Sequence, residues 1–159
     1  MTLKEGMKAP AFKGEDQDGN KVSLKDSLGK KLAVYFYPTD MTETCTIQAC
    51  NLRDNYYLLK KKGISIVGIN DNPMKMHVKF SGKYTLPFPL LSDESRSIID
   101  KYGVWGDKVL FGNHYKGLLR TTFLIDEKGI IRKIIRKPKS SKHADEIIEA
   151  WAEIENEEK

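Results

Sequence analysis

The two cysteines, Cys45 and Cys50, are the side chains in this sequence best suited to nucleophilic chemistry. Cys45 follows an apolar run at 31–37 and a short loop, and it stands at or near the start of a predicted helix. A helix N-terminus offers unpaired N–H groups and a positive dipole end, which favour a thiolate over a thiol. The same position also suits a small buried apolar residue. The position of Cys45 is therefore compatible with either role.

The residue pattern gives little support for a metal site or a cofactor site. The C-x4-C spacing has no second cysteine pair, so it offers too few ligands for a structural zinc site. His77, His114 and His143 are scattered singly, and each is interpreted as a surface or capping residue rather than a ligand. The glycines are too dispersed for a phosphate-binding loop. We therefore expect neither a metal nor a cofactor.

The segments that would position Cys45 alternate between strand and helix. Strands are predicted at 31–37, 64–69 and 121–125, the last followed by a turn and a partner strand through Arg136. A hairpin turn is predicted at 16–20. The run 31–37 is apolar throughout, which is typical of a strand buried on both faces.

Four helices are predicted between and after these strands. The first covers 46–62 and stops at Gly63. The second has Asn72 as N-cap and Pro73 at its first position, and the third is capped by Asp93 and ends at Gly103. The last runs from about 142 to 154. This order predicts an α/β fold with a central mixed β-sheet flanked by helices on both faces, in a single domain over 1–159.

The composition is that of a folded globular domain. The chain has 159 residues, of which 40% are hydrophobic and 31% charged. Its longest apolar run is far shorter than the roughly 20 residues of a membrane helix, and residues 1–30 contain no signal-like apolar segment. Two cysteines are too few for a secreted disulfide scaffold. We therefore expect a cytoplasmic protein with no membrane association.

The formal net charge of +5 is concentrated in one segment, 128–143, which lies far from the cysteines in the chain. This segment carries seven lysines and arginines and no acidic residue. A nucleic-acid-binding module is one alternative that such a segment raises. No aromatic residue is interleaved for base stacking, and the alternation of isoleucine and basic residues favours a strand with a solvated charged face.

The residues around Cys45 resemble the peroxiredoxin family. Its signature P-x-x-x-T-x-x-C occurs as Pro38, Thr42 and Cys45, and a second cysteine five positions later is similar to the BCP/PrxQ (bacterioferritin comigratory protein) branch. Further similar segments are VYFYP at 34–38, LSDE at 91–94, YGVWG at 102–106 and RTTFLID at 120–126. The resemblance covers nearly the whole chain.

The resemblance implies a thioredoxin-like fold and a thiol-dependent peroxidase that reduces hydrogen peroxide or alkyl hydroperoxides. Cys45 would be the peroxidatic thiolate, which becomes a sulfenic acid. Thr42 would hydrogen-bond the thiolate or the peroxide, and Pro38 would shield the pocket from water. Arg120 would stabilise the thiolate by its charge, and Gln48 would orient that arginine.

The resemblance also implies that Cys50 resolves the sulfenic acid through an intramolecular Cys45–Cys50 disulfide, which a thioredoxin-like reductant opens again. Relatives of this branch are typically monomers or weak dimers. On an intact helix, Cα atoms five positions apart are roughly 8 to 9 Å from each other, beyond the ~7 Å limit for a disulfide. The first turns of the helix are therefore expected to unfold when Cys45 is oxidised.

A general thiol–disulfide oxidoreductase on the same fold is the main alternative, although such enzymes usually carry C-x-x-C. One departure from the branch also matters, because Glu43-Thr44 stands where relatives often have Pro-Gly. The Glu43 charge would disfavour a thiolate if it faced the pocket and would matter little if it faced solvent.

Overall fold

Residues 2–158, which the computed structural model describes, form nine β-strands, six α-helices and one 3-10 turn. In chain order these are β1 (Lys13–Glu15), β2 (Lys21–Ser23), α1 (Leu24–Ser27), β3 (Lys31–Phe36), α2 (Glu43–Asp54), α3 (Tyr56–Lys61), β4 (Ile64–Asn70), α4 (Met74–Tyr84), β5 (Leu90–Ser92), α5 (Ser97–Tyr102), β6 (Trp105–Leu110), β7 (Asn113–Leu118), β8 (Thr121–Ile125), β9 (Ile131–Arg136), the 3-10 turn (Ser140–Lys142) and α6 (His143–Glu157).

Five of these strands form the central sheet, in the order β5-β4-β3-β8-β9. The strands β3, β4 and β5 are parallel, whereas β8 and β9 run antiparallel to their neighbours. The predicted mixed α/β sheet is therefore confirmed. The predicted hairpin turn at 16–20 also occurs, between the paired strands β1 and β2.

The central strand β3 is buried on both faces, as its apolar sequence predicts. Tyr35 packs in one hydrophobic cluster with Ala49 of α2 and Trp151 of α6. Phe36 packs in the opposite cluster with Ile99 of α5. Helices therefore cover both faces of the sheet, and the end of β3 is fixed between two cores.

The predicted helix at 46–62 is wrong in extent, because it begins at Glu43 and is divided at Asn55. Asn55 departs from helical geometry with φ −109° and ψ 11°. Its side-chain amide donates to the carbonyl of Asn51 at 2.9 Å and so competes with the helical backbone. The earlier start places Cys45 inside the first turn of α2.

The predicted cap at Asn72 is also wrong by one residue. Pro73 occupies the N-cap position and α4 begins at Met74. The Asn72 side chain instead accepts the backbone N–H of Asp40 at 2.8 Å. Asp93 does accept the Ile99 N–H of α5 at 2.8 Å, although α5 begins only at Ser97.

The hairpin of β6 and β7 was not predicted from the sequence. Its two-residue turn uses Phe111 and Gly112, both with positive φ, at 50° and 79°. This is the mirror-image turn that suits hairpins, but phenylalanine rarely adopts it. Most of its side chains are exposed or only half-buried, so they lack the apolar alternation that identifies a strand.

Two of the histidines contradict their interpretation as surface or capping residues, because His77 and His143 are fully buried. A ring nitrogen of His77 lies 2.5 Å from the Asp40 carboxylate. His143 lies 2.8 Å from the Thr122 hydroxyl and 3.1 Å from the Glu146 carboxylate. Each ring has polar partners for both nitrogens, which is what burial of an imidazole requires.

We expect His143 to make the protein less stable in mild acid. Burial lowers the pKa of His143 below its ordinary value of 6.5, and Glu146 opposes this in part. Above pH 6.5 the ring is neutral in both states, so its contribution to stability is complete there. As the pH falls below that value, the unfolded chain binds the proton first and native stability is lost, by at most about 1.4 kcal/mol per pH unit for one proton.

Urea unfolding from pH 7.5 to 5, with wild type and His143→Gln, measures this contribution. The difference in unfolding free energy between the two proteins should shrink as the pH falls below 6.5. A difference that is constant with pH would contradict the prediction.

No helix within residues 2–158 is both long and apolar enough to cross a lipid bilayer. In the same range, no three histidine, cysteine or acidic side chains come together as metal ligands could.

Candidate active site

Cys45 lies just beyond the carboxyl end of the central strand. The strand β3 ends at Phe36, a loop covers residues 37–42, and Cys45 is the third residue of α2. The first amides of a helix have no intrahelical acceptor, so they favour negative charge at this point. Cys45 is only 1% exposed, and both cysteines are free thiols.

Arg120 is the cation that contacts this thiol. It immediately precedes β8, whose first residue, Thr121, pairs with Phe36 at the end of β3. This register brings Arg120 to Cys45, and Nη2 donates to Sγ at 3.2 Å. Nη1 donates to the buried Gln48 Oε1 at 2.6 Å. The guanidinium is thus held by two residues of α2 and places a positive charge against the sulfur.

Thr42 is the N-cap residue of α2, and its carbonyl accepts the N–H of Thr46 at 2.9 Å. Its hydroxyl donates to the carbonyl of Thr39 at 3.0 Å and makes no cap hydrogen bond of its own. A hydroxyl has one proton and two acceptor lone pairs. In this arrangement Thr42 can therefore accept a hydrogen bond from a ligand but cannot donate one to Cys45 at the same time.

Pro38 lies half-buried at the mouth of the site, in a cleft of about 680 Å³. Thr44 and Arg120 line the same cleft, so it opens onto the helix start and the arginine that contacts Cys45. The same cleft is also lined by Lys108 of β6 and by Lys137, which follows β9. A small molecule can thus reach the region of Cys45 from a cleft that Pro38 helps to line.

The loop before Cys45 is fixed by a buried acid. The Asp40 carboxylate accepts from the Tyr37 hydroxyl at 2.7 Å and the Asn70 amide at 3.1 Å, and it contacts His77. Next to it, Met41 has a positive φ of 70°, a conformation that costs a non-glycine residue about 1 kcal/mol or more. The anchored Asp40 holds that strained turn, which sets the direction in which α2 begins.

Comparison with known proteins identifies the family of the chain. The model of the AhpC/TSA family matches residues 6–134. "Peroxiredoxin Bcp" of Escherichia coli strain K12 is 46% identical, over 92% of this chain and 94% of its own. "Putative peroxiredoxin bcp" of Coxiella burnetii is 45% identical, over 93% of this chain and 98% of its own.

The chain belongs to the AhpC/TSA family, in the Bcp branch of the peroxiredoxins. A solved structure of Xanthomonas campestris bacterioferritin comigratory protein, described for its alkyl peroxide reduction activity, superposes with a TM-score of 0.82. It is 28% identical and the match covers 90% of this chain and 92% of the other. The predicted thioredoxin-like fold and peroxiredoxin assignment are therefore confirmed. The chain is a thiol peroxidase of this branch.

Three features of this peroxiredoxin site were missed by reasoning from the sequence. Lys108 was not singled out, although it lines the cleft. The sequence pattern places Lys137 in a solvated basic segment, yet this residue also lines the cleft. Asp40 occupies a variable position of the P-x-x-x-T-x-x-C motif. The buried pairing of Asp40 with His77, 37 positions away, left no local signal in the sequence.

Glu43, the departure noted in the sequence, is exposed at the first position of α2. The charge of an exposed carboxylate is screened by water and by salt, with a Debye length of about 8 Å at physiological ionic strength. We therefore expect Glu43→Gln to change the rate of Cys45 oxidation by less than about twofold between pH 5 and 8. Stopped-flow rates with hydrogen peroxide test this, and an acceleration well beyond that, largest at low pH, would show that Glu43 opposes the thiolate.

Proposed function

We propose that Cys45 is the peroxidatic residue and that it reduces hydrogen peroxide and organic hydroperoxides. The observation that carries this proposal is the 3.2 Å contact between Arg120 Nη2 and Cys45 Sγ, at the start of α2 and beside an open cleft. The alkyl peroxide reduction activity named for the Xanthomonas relative supports the substrate class. Thr42 and Pro38 complete the set of residues that would position the peroxide.

In the proposed reaction, the Cys45 thiolate attacks the terminal oxygen of R–O–OH. An S–O bond forms and the O–O bond breaks, so the thiolate becomes a sulfenic acid and the peroxide is reduced to RO⁻. The leaving oxygen takes a proton from solvent and departs as an alcohol, or as water when R is hydrogen. Arg120 can donate to the developing negative charge, and the Thr42 hydroxyl can accept the peroxide O–H.

Cys50 is proposed to resolve the sulfenic acid. Its thiolate would attack the Cys45 sulfur, form the S–S bond and release hydroxide, which leaves as water. Both cysteines lie on α2, where positions five apart are roughly 8 to 9 Å from each other between Cα atoms. That separation exceeds the ~7 Å limit, so the start of α2 must unwind before the bond can form.

The contacts of α2 indicate where such unwinding would stop. Before Cys50, the buried residues are Cys45, Gln48 and Ala49, none of them a large apolar side chain. Directly after it, Asn51 donates to Ser141 O at 3.0 Å and accepts the Ala144 N–H at 2.8 Å. The helix is thus weakly packed up to Cys50 and anchored from Asn51 onward.

We expect formation of the Cys45–Cys50 disulfide to speed hydrogen exchange at the amides of residues 46–50 by tenfold or more. The reason is that the local opening of the helix there becomes permanent. The amides of Asn55 and Leu59 should remain protected, since their acceptors, the carbonyls of Asn51 and Asn55, lie beyond the segment that unwinds. Exchange measured by mass spectrometry on the reduced and oxidised protein tests this, with the sheet strands as internal reference. An oxidised protein with a Cys45–Cys50 bond and full protection at 46–50 would contradict it.

The function itself is tested by hydrogen-peroxide consumption, with either dithiothreitol or a thioredoxin system as electron donor. Consumption with both donors is expected. Thioredoxin is the type of reductant that we propose, and dithiothreitol is a small dithiol that also reduces disulfides. Insulin reduction without peroxide tests the alternative of a general thiol–disulfide oxidoreductase, and we expect it to be negligible. The wide C-x4-C spacing on an intact helix argues against that alternative. From the resemblance alone, we also propose a cytoplasmic monomer or weak dimer.

A further inference from the structure

The cleft beside Cys45 carries more positive charge than the thiolate requires. Among residues 2–158, four basic residues line it and no acidic one does; the four are Lys108, Arg120, Arg136 and Lys137. Within residues 2–158, none of these four has a carboxylate within ion-pair distance. Of these four, Arg120 donates a hydrogen bond to the sulfur. Three cations therefore face the cleft without a negative partner.

Lys108 is held in place rather than extended freely into solvent. Its Nζ donates to the carbonyl of Leu118 across the hairpin at 2.8 Å. Its side chain lies over Gly117, where an added Cβ would stand only 2.9 Å from Lys108 Cδ. Burial and the neighbouring charge of Arg120 lower the pKa of Lys108, while Cys45 opposes this. The ammonium group thus lies within the electrostatic field of the reactive centre.

Lys137 is a second lysine that lines this cleft. It follows β9 with a positive φ of 58°, a conformation that non-glycine residues seldom adopt, and precedes the buried Pro138. Val109, Leu119 and Pro138 give the cleft an apolar lining between the cations. Apolar walls with separated positive groups match a molecule that has a short carbon chain and an anionic end.

We propose that this cleft selects organic hydroperoxides that carry an anionic group such as a carboxylate, which Lys108 and Lys137 bind while the peroxide group lies beside Arg120 and Cys45. The inference rests on the proposed function of Cys45 and adds the recognition of charge at the far end of the substrate. The chemical step is unchanged: the thiolate takes the terminal oxygen, the O–O bond breaks, and the carboxylate-bearing alkoxide leaves and takes a proton from solvent.

The test compares 4-hydroperoxy-4-methylpentanoate with its uncharged primary amide, which has nearly the same shape. The second-order rate of Cys45 oxidation is measured for each by stopped flow at low ionic strength. We expect the wild type to prefer the carboxylate by about three- to tenfold, the size expected for partly exposed charge pairs. Lys137→Met should lower this ratio about threefold, and the double variant Lys108→Met with Lys137→Met should bring it close to one.

Lys133→Met is the matched control, because Lys133 is an exposed lysine of β9 that does not line the cleft. It should leave the ratio unchanged, and hydrogen peroxide serves as a substrate without an anionic end. Equal wild-type rates for carboxylate and amide would overturn the inference, as would a loss of preference in Lys133→Met equal to that in Lys137→Met. Failure of hydrogen peroxide to oxidise Cys45 would instead overturn the proposed function, and this inference with it.

Discussion

Replacing Cys45 with serine is expected to abolish peroxide consumption with both dithiothreitol and thioredoxin, a loss of at least about 10⁴-fold. Serine has a similar shape, but its hydroxyl does not ionise near neutral pH and is a far weaker nucleophile. The helix start and Arg120 would remain in place, so the variant removes the nucleophile and little else. The measurement is hydrogen-peroxide consumption at saturating reductant.

Cys50→Ser is the matched control for this experiment, because it removes the other thiol from the same helix. It should keep a first turnover, seen as one equivalent of peroxide consumed and a trappable sulfenic acid at Cys45. Cycling with thioredoxin should fall steeply, since no Cys45–Cys50 disulfide can form. Full peroxidase activity in Cys45→Ser would overturn the assignment, and normal thioredoxin-linked cycling in Cys50→Ser would overturn the resolving role.

Replacing Arg120 with methionine should slow Cys45 oxidation by about 10²- to 10³-fold, the usual effect of removing one preorganised donor to a charge that develops in the transition state. The guanidinium donates to Sγ at 3.2 Å, so its loss removes both a hydrogen bond and a positive charge. Stopped-flow rates of Cys45 oxidation by hydrogen peroxide measure the effect.

Two further variants separate charge from folding in this prediction. Arg120→Lys keeps the charge but loses the fork that joins Cys45 to Gln48, so we expect partial recovery of the rate. Arg96→Met removes an exposed arginine outside the cleft, stacked 3.8 Å above the Trp105 ring, and should leave the rate unchanged. An Arg120→Met protein that is folded and oxidised at the wild-type rate would contradict the proposed role.

Much of the fold was accessible from the sequence because it depends on local patterns. The apolar run at 31–37 predicted a strand buried on both faces, and β3 is that strand. The hairpin of β6 and β7 was missed because its residues are exposed and its turn places Phe111 at a positive φ. The break at Asn55 was missed because a single side-chain hydrogen bond leaves no periodic signal.

The candidate site, like the fold, could be predicted from the sequence only in part. The sequence by itself determined that Cys45 follows a buried strand and a short loop and begins a helix, because neighbouring residues fix those elements. The family resemblance singled out Arg120, but only the tertiary structure showed that its guanidinium contacts the sulfur and that further cations line the adjacent cleft. Arg120 lies 75 positions away and reaches the sulfur through the pairing of β8 with β3.

The basic segment at 128–143 is the clearest case of residues that are distant from Cys45 in the chain but close to it in the fold. The sequence placed it far from Cys45, and its alternation indicated only a solvated strand face. In the folded protein, Arg136 and Lys137 line the cleft at the catalytic helix, together with Lys108 from a hairpin that the sequence did not reveal. Coulomb interactions depend on distance through space and on burial, and neither is determined by position along the chain. The nucleophile could therefore be found in the sequence, whereas its electrostatic surroundings and the charge preference proposed for its substrate required the fold.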